Sequence, residues 1–254
     1  MGAWRALTEL RASFRAADVL VLCYHSIRSR ERFAAQMTVL AERGYPVLSM
    51  GQFTEWLNGR KPIRTPAVLL TFDGGYLDQL ENAVPVLQAF GFSATFFPIS
   101  DYLDDEVGDG SMMRRNDLLG LATSGYTIGC HTHTHPDLTG LSEAEIEREV
   151  KGSKQILEDL LGQRVGAFCY PYGACNSRAA SVVRQSGFDV AFTVDLGGVS
   201  RGDDLYELKR VPVLGDPSSR EFSAYLSGAP LLSGGLLLYW KLRERLLASW
   251  NGPR

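Results

Sequence analysis

The histidines of this chain are few, and three of them alternate within one short segment. The chain has 254 residues and four histidines, and three of these lie in CHTHTHPDL, residues 130–138. His131 and His135 are four residues apart, so their imidazoles can reach one metal ion if the segment forms a turn. Imidazole is a preferred neutral ligand of zinc and similar divalent ions. The spacing therefore predicts a divalent metal site, with zinc as the expected ion, and His133 is expected to be exposed or to support a ligand.

An aspartate follows an apolar run in AVLLTFDGGYLD, residues 67–78. A buried strand ending at Phe72 would deliver the Asp73 carboxylate to a turn, where Gly74 and Gly75 leave space for a ligand. The alternative is a structural role, since an aspartate after a strand often caps a helix and YLDQLENAVPVL follows closely. The two glycines favour a functional carboxylate.

The other polar candidates also follow apolar runs. His25 comes after VLVLCY, and Tyr170 and Tyr172 come after VGAFC. Because the exit ends of parallel strands converge on one rim of a barrel, the four histidines and Asp73 are expected at a single site.

Short apolar runs alternate with longer helical patterns along the chain. Each run is bounded by Gly, Pro, Asp or His, as buried strands of a mainly parallel sheet are. The predicted strands are residues 19–24, 67–72, 93–99, 126–130, 165–170, 190–194 and 210–214, with a weaker one at 45–50. The predicted helices are residues 30–44, 76–91, 113–125 and 141–162. About seven or eight βα units favour an α/β fold of the (β/α) barrel type, and a doubly wound open sheet is the competing architecture.

The composition excludes several classes of protein. Hydrophobic residues make up 45% of the chain, enough for a full core, and the formal net charge of −3 gives no basic footprint for nucleic acid. No apolar run of about 18 residues occurs that would cross a membrane, and the N-terminus lacks the order of a secretory signal peptide. The four cysteines have no paired spacing, so reduced thiols and a cytoplasmic location are expected.

Three segments together resemble the motifs of the NodB-type polysaccharide deacetylases, carbohydrate esterase family 4. The family motif TFDDG is matched by residues 71–75 with one change, the histidine motif by residues 131–136, and the third motif in part by FCYPYG, residues 168–173. The resemblance runs from about Val19 to Val213. It implies a deformed (β/α)7 barrel within residues 1–228. It also implies metal-assisted hydrolysis of an N-acetyl or other N-acyl group from an amino sugar, in a saccharide or a lipid-linked saccharide.

The same resemblance implies a metal and an oxyanion site. The family's metal is held by the second aspartate of the first motif and by two histidines, which are His131 and His135 here. The amide N–H of Tyr172 would stabilise the tetrahedral oxyanion. Pro171 and Arg210 are placed with Tyr172 on the substrate side.

Two residues take the acid and base roles that the resemblance implies. Asp73 would be the general base that activates water. His25 matches a branch of the family whose catalytic acid lies in an early Tyr-His motif, and it would protonate the leaving amine. The alternative for His25 is a buried capping residue.

Gly74 is the main departure from the family, because it stands where the second aspartate would bind the metal. Asp73 or Asp78 would then complete the site, or water would fill the position, or the protein would no longer be an enzyme. The last explanation gives the alternative function, a catalytically silent relative that binds saccharide or supports a polysaccharide-biosynthesis complex. Survival of the other motif residues favours an enzyme with an altered metal site.

Further departures concern the third motif and its surroundings. Cys169 stands where many members have an arginine that orients the base. Arg210, near the start of a late predicted strand, would reach the substrate or form a surface salt bridge. Cys23 would be a thiolate ligand or, more simply, a small buried residue.

The C-terminal segment lies outside the resemblance. Residues 229–254 have apolar positions at helical spacing with Lys and Arg between them, which predicts a basic amphipathic helix. This helix would pack on the barrel, dock a partner or lie on a membrane surface through residues 231–254. A lipid-linked sugar would be the natural substrate in the membrane case.

Overall fold

Seven parallel strands form a nearly closed barrel in the described part of the chain. The computed structural model describes residues 17–103, 106–107 and 110–227. The strands are β1 (Val19–Tyr24), β2 (Val47–Leu48), β3 (Ala67–Gly74), β4 (Thr95–Pro98), β5 (Glu106–Val107), β6 (Gly110–Ser111), β7 (Thr127–Ile128), β8 (Ala167–Cys169), β9 (Val190–Leu196) and β10 (Leu208–Pro212). The barrel strands follow the order β7-β4-β3-β1-β10-β9-β8, while β2 pairs with β3 and β5 with β6.

The two ends of this strand order meet. A parallel bridge between Cys130, just after β7, and Phe168 of β8 joins the first strand of the order to the last. The predicted (β/α)7 barrel is therefore confirmed, and the doubly wound open sheet is wrong.

Helices surround the barrel. They are α1 (Arg30–Glu42), α2 (Met50–Leu57), α3 (Val84–Phe90), α4 (Arg115–Thr123), α5 (Glu143–Leu161), α6 (Ser177–Gln185) and α7 (Ser219–Leu226). The four predicted helical segments contain α1, α3, α4 and α5, whereas α2, α6 and α7 were not predicted. Among the described helices, none combines the length and the apolar character needed to cross a membrane. The helix predicted within residues 229–254 lies outside the described residues.

The weak strand predicted at 45–50 is shortened to two residues, and α2 begins at Met50. Only Val47 and Leu48 pair with β3. Ser49 then caps α2, because its side chain accepts the Gln52 N–H while the Gln52 side chain accepts the Ser49 N–H. This reciprocal pair of hydrogen bonds ends the strand and begins a helix of eight residues.

Alternation along the strands separates an inner core from an outer one. Val19, Val21 and Leu69 pack inside the barrel with Phe97 and Phe192. The residues between them, such as Leu20 and Leu22, pack outward in the core that includes the helices. This period of two is the expected pattern of a strand buried on both faces.

Helix α2 closes the end of the barrel where the strands begin. Phe53 and Trp56 of α2 belong to the inner core, together with the first residues of several strands. The Phe53 and Phe192 rings have centroids 6.0 Å apart, and those of Phe97 and Phe192 are 5.9 Å apart. The barrel is therefore filled with aromatic side chains below the polar groups described next.

Candidate active site

Polar side chains occupy the inner face near the ends of the strands. Cys23, Thr71, Asp73, Cys169 and Arg210 are all buried. Cys23 and Asp73 continue the inward alternation of Val19 and Val21 on β1 and of Ala67 and Leu69 on β3. The inward-facing positions that form the apolar core are therefore the same positions that place the polar side chains near the strand ends.

The Asp73 carboxylate and the Arg210 guanidinium form a bidentate pair. Arg210 Nη1 donates to Asp73 Oδ1 at 2.9 Å, and Nη2 donates to Oδ2 at 2.7 Å. Arg210 Nε also donates to the Thr193 carbonyl at 2.7 Å. Arg210 has no exposed surface and Asp73 only 2%. Arg210 therefore forms a buried salt bridge, so the expected surface position is wrong, while its contact with the substrate stays a prediction.

Two thiols complete the surroundings of this carboxylate. Cys169 Sγ donates to Asp73 Oδ2 at 3.2 Å and Cys23 Sγ at 3.4 Å. Burial raises the pKa of both thiols well above the usual value, so they stay protonated and donate hydrogen bonds. Burial alone would also raise the pKa of Asp73, but the charge and hydrogen bonds of Arg210 outweigh it and hold that pKa well below its usual range. Asp73 is therefore ionised near neutral pH.

The paired imidazoles of His131 and His135 face each other. Their Nε2 atoms are 3.1 Å apart, and His131 Nδ1 lies 2.8 Å from the Cys169 carbonyl oxygen. An N–H on Nδ1 would donate to that carbonyl and leave Nε2 with its lone pair. Burial lowers the pKa of His131 to about 4, and burial likewise lowers the pKa of His135. Both rings are neutral near pH 7.

The tight loop that carries the histidines is held by helix α5. Glu149 Oε2 accepts the N–H groups of His133 and Thr134, at 3.0 and 2.8 Å, and Glu149 Oε1 accepts the Thr134 hydroxyl at 2.8 Å. Ser153 donates to the Thr132 carbonyl at 2.9 Å. Thr132 and His135 have φ values of 66° and 63°, so these contacts stabilise a backbone that non-glycine residues rarely adopt.

His133 points away from this pair. Its Nδ1 lies 3.0 Å from Ser100 Oγ, and its Nε2 lies 3.7 Å from an Asp101 oxygen. The structure thus brings His131 and His135 together and separates the histidine between them.

His25 lies at the mouth of the site. Ligand atoms of His25, Cys23 and Asp73 are all within 4.8 Å of one another, and His25 is exposed. Desolvation of its ring lowers the pKa of His25, while the Asp73 carboxylate raises it in opposition. Since the residue is exposed, solvent limits this lowering.

Gln79 ties the His25 and Asp73 strand ends together. Its amide nitrogen donates to the Asp73 carbonyl at 2.7 Å and to the His25 carbonyl at 3.0 Å. Gln79 begins a π-helical turn, Gln79–Ala83. Such turns inside helical segments are frequent at functional sites. Here the turn places the buried side-chain amide of Gln79 between the carbonyl groups of His25 and Asp73.

The third motif forms a tight turn after β8. Pro171–Gly173 is a 3₁₀ turn in which Tyr172 has a φ of 57° and a ψ of 7°. Pro171 is buried, and the rings of Tyr172 and His135 are in edge-on contact with centroids 4.7 Å apart. The turn therefore lies beside the histidine pair, as a role on the substrate side requires.

The two imidazoles fit a divalent ion, and the other nearby donors fit less well. Two ligands of a tetrahedral zinc ion lie about 3.3 Å apart, given bonds of about 2.0 Å, so the 3.1 Å between the Nε2 atoms suits a shared ion. Asp73, His131 and Cys169 also cluster within 4.8 Å. However, Arg210 binds both Asp73 oxygens and lies 2.9 Å from Cys169 Sγ, so a cation there would meet a positive charge.

Residues 74 and 78 do not supply a third ligand. Gly74 has no side-chain donor, and Asp78 accepts a hydrogen bond from Ser26. Among the described residues, neither cluster of neighbouring metal-binding groups contains both imidazoles of the pair, so no third side chain is grouped with them. Of the described side chains, His131 and His135 are thus the two that would hold the ion.

Glu149→Ala is expected to weaken metal binding without unfolding the protein. The change removes three hydrogen bonds to the histidine loop, and loss of contacts behind a metal ligand costs about 10- to 100-fold in affinity. Calorimetric titration of the chelated protein with zinc measures the effect. Glu147→Ala is the matched control, since Glu147 lies on the same helix and pairs with Lys151. Equal affinities for the two variants would contradict a role for Glu149 in positioning the ligands.

Comparison with known proteins agrees with this geometry. The family model described as Polysaccharide deacetylase matches residues 60–191, a little over half of the chain. The Bacillus subtilis protein YxkH, named as a polysaccharide deacetylase, is 30% identical over 219 residues, covering 84% of this chain and 77% of its own length.

This chain belongs to the polysaccharide deacetylase family. The enzyme class predicted from the sequence, hydrolysis of an amide C–N bond, is confirmed by this membership. The Escherichia coli poly-β-1,6-N-acetyl-D-glucosamine N-deacetylase is 26% identical over 82% of this chain, which spans only 36% of that protein. The solved structure of IcaB from Ammonifex degensii superposes with a TM-score of 0.75 and 27% identity, covering 84% of this chain and 98% of that one.

Two supporting residues of the site, and the contact of Arg210 with Asp73, were not found from the sequence. Glu149 and Gln79 lie on helical segments, where a polar residue is ordinary and carries no signal. The pairing of Arg210 with Asp73 joins positions 137 residues apart. The sequence did contain one signal, because Cys169 stands where many members of the family have an arginine. If Asp73 is to keep an arginine partner, another strand has to supply it.

Proposed function

We propose that this chain removes N-acetyl groups from N-acetylglucosamine units of a polysaccharide. The main support for the proposal is that His25, Asp73 and the His131–His135 pair lie together at one end of the barrel. The E. coli relative is named for poly-β-1,6-N-acetyl-D-glucosamine, which supports an amino-sugar polymer as substrate.

Asp73 acts as the general base. Arg210 holds the carboxylate ionised and in one orientation. A water molecule that attacks the acetyl carbon gives its proton to Asp73 as the new C–O bond forms. The low pKa makes Asp73 a weak base, so its contribution depends on the fixed position of the carboxylate as well as on proton affinity.

His25 and Tyr172 act on the other side of the amide. His25 protonates the nitrogen as the C–N bond breaks, so that the products are acetate and a free amine. The backbone N–H of Tyr172 stabilises the oxyanion that forms on the carbonyl oxygen. A divalent ion held by His131 and His135 would polarise the carbonyl and the attacking water as a Lewis acid.

Acetate release tests the function directly. The purified chain, supplied with zinc or cobalt, is incubated with β-1,6-linked N-acetylglucosamine oligomers, and acetate and new primary amines are measured. We expect equal amounts of both products. Binding of the oligomer without either product would overturn the proposal and favour the alternative, a saccharide-binding relative whose catalysis was lost with the aspartate at position 74.

His131→Ala is expected to abolish stoichiometric metal binding. The change removes one of the two imidazoles whose Nε2 atoms face each other. Calorimetric titration of the chelated protein with zinc and cobalt measures binding. His133→Ala is the control, since His133 faces Ser100 and Asp101, and it should bind like the wild type. No binding by the wild-type protein at millimolar metal would contradict the metal-dependent reaction.

A cytoplasmic location and membrane contact through residues 231–254 stay predictions, as does a lipid-linked substrate. Deletion of these residues is expected to remove binding to lipid vesicles. Unchanged vesicle binding would contradict the membrane role of this segment.

A further inference from the structure

The two residues that would act as acid and base lie just beyond the last backbone pair that joins their strands. β1 and β3 pair in parallel as far as Tyr24 and Phe72. His25 and Asp73 are the next residues on the two strands. The ladder between β1 and β3 therefore stops one residue before the two groups whose separation matters for proton transfer to and from a single amide.

The side-chain amide of Gln79 continues the connection between these strand ends. Its Nε2 donates to the Asp73 carbonyl at 2.7 Å and to the His25 carbonyl at 3.0 Å, so each amide hydrogen serves one strand. The opposite orientation of the amide would place Oε1 against two carbonyl oxygens, which only accept hydrogen bonds. Gln79 thus links the His25 and Asp73 backbones through one planar group.

This amide is held in place by its surroundings. Gln79 has no exposed surface. Its backbone N–H donates to the Tyr76 carbonyl at 3.1 Å, and its backbone carbonyl accepts the Val84 N–H across the π-helical turn that leads into α3. A buried side chain on a hydrogen-bonded turn has little freedom to change rotamer, so its two hydrogen bonds keep the strand ends at one separation.

The other half of the same amide gains nothing for stability. Gln79 Oε1 is buried and makes no hydrogen bond to any residue that the structure describes. A buried acceptor without a partner is destabilising, and an apolar side chain of the same length would avoid this. Such exceptions call for an explanation, and the place of the two donors between a candidate acid and a candidate base supplies one.

We propose that Gln79 is a positioning residue for deacetylation, which holds the backbones of His25 and Asp73 at the separation that lets the acid and the base act on one amide bond. This role rests on the proposed function. Gln79 acts through His25 and Asp73, so its effect should appear in kcat and depend on those two residues.

Gln79→Met replaces the amide by a side chain of similar length that has no donor. We expect kcat on an N-acetylglucosamine oligomer to fall by about 10- to 100-fold with KM close to that of the wild type, since a displacement of about 1 Å costs about 10²-fold in rate. Gln79→Asn keeps an amide but is one methylene shorter, so it cannot reach both carbonyls. It should change kcat in the same direction, and it replaces Gln79→Met in every comparison if that variant does not fold.

Asn82→Leu is the matched control. Asn82 lies in the same π-helical turn, and its Nδ2 donates to the Ile27 carbonyl at 2.8 Å, two residues beyond His25. This variant also loses a hydrogen bond from the turn to the segment after β1, so its unfolding midpoint should fall while kcat stays near that of the wild type. Equal losses of kcat for Gln79→Met and Asn82→Leu would overturn the proposal.

A double-mutant cycle separates positioning from a general structural role. In the His25→Ala background, Gln79→Met can act only through Asp73, so its effect on the oligomer should be several-fold smaller than in the wild-type background. Hydrolysis of 4-nitrophenyl acetate needs no proton from His25, so Gln79→Met should cost the ester about this smaller amount. Equal losses of amide kcat in the two backgrounds would overturn the proposal.

NMR of the four histidines gives a readout that needs no activity. The ring signals of His25 are identified by their loss in His25→Ala. They should shift or broaden in Gln79→Met and stay in place in Asn82→Leu, and unchanged His25 signals in Gln79→Met would overturn the positioning role. A wild-type protein that releases no acetate would instead overturn the proposed function and, with it, the catalytic part of this proposal.

Discussion

Asp73→Asn is expected to lower kcat for deacetylation by about 10²- to 10⁴-fold, the usual contribution of a positioned base. The same change is expected to lower the free energy of unfolding by about 3–5 kcal/mol, because it leaves a buried guanidinium without its partner. Arg210 has no exposed surface, so water cannot replace the lost carboxylate. Acetate release and denaturant unfolding measure the two effects separately.

Two further variants separate catalysis from stability at this pair. Asp73→Asn combined with Arg210→Met removes both charges, so much of the stability should return while activity stays lost. Asp189→Asn breaks the exposed pair of Asp189 with Arg164 and should cost only about 0–1 kcal/mol. If Asp73→Asn cost no more than Asp189→Asn, the Asp73–Arg210 pair would not be the buried charge pair described above.

His25→Ala is expected to lower kcat on an N-acetyl amide by about 10²- to 10⁴-fold, the range for a general acid. An amine is a poor leaving group unless it is protonated, so the loss should be large for the amide. A phenolate leaves without a proton, and 4-nitrophenyl acetate should therefore be hydrolysed at close to the wild-type rate. Steady-state kinetics on an N-acetylglucosamine oligomer and on the ester give the comparison.

The ester is the internal control for this variant. His25 is exposed, so the substitution should leave the unfolding midpoint near that of the wild type. Equal losses on the amide and the ester would mean that His25 positions the site and does not supply the proton to the leaving group.

The sequence predicted the barrel and the gathering of its polar residues for one physical reason. Buried parallel strands are continuous apolar runs, and the residues just after them converge on one rim. Asp73, His131 and His135 could be placed in this way without knowing any long-range contact. Helix α2 was missed because its eight residues follow a short strand and begin at a cap that lies within the predicted strand.

Long-range and supporting contacts were beyond this reasoning. Arg210 lies on β10, and Asp73 lies on β3 with β1 between the two strands, so their contact depends on a strand order that the sequence does not show. Gly74 is a similar case, since the sequence showed that a ligand was missing but not that the Tyr76 ring lies against Gly74. Both facts depend on where a neighbouring side chain points, which periodicity does not determine.

The aromatic side chains of helix α2 determine from which side small molecules reach and leave the site. Phe53 and Trp56 pack in the inner core with the first residues of the strands, so this end of the barrel is filled and the entrance to the site is at the strand exits. Water and the acetyl group must arrive through this entrance, and acetate must depart through it. A sugar chain lying across the entrance would delay that departure, so acetate should act as a product inhibitor that competes with the polymer.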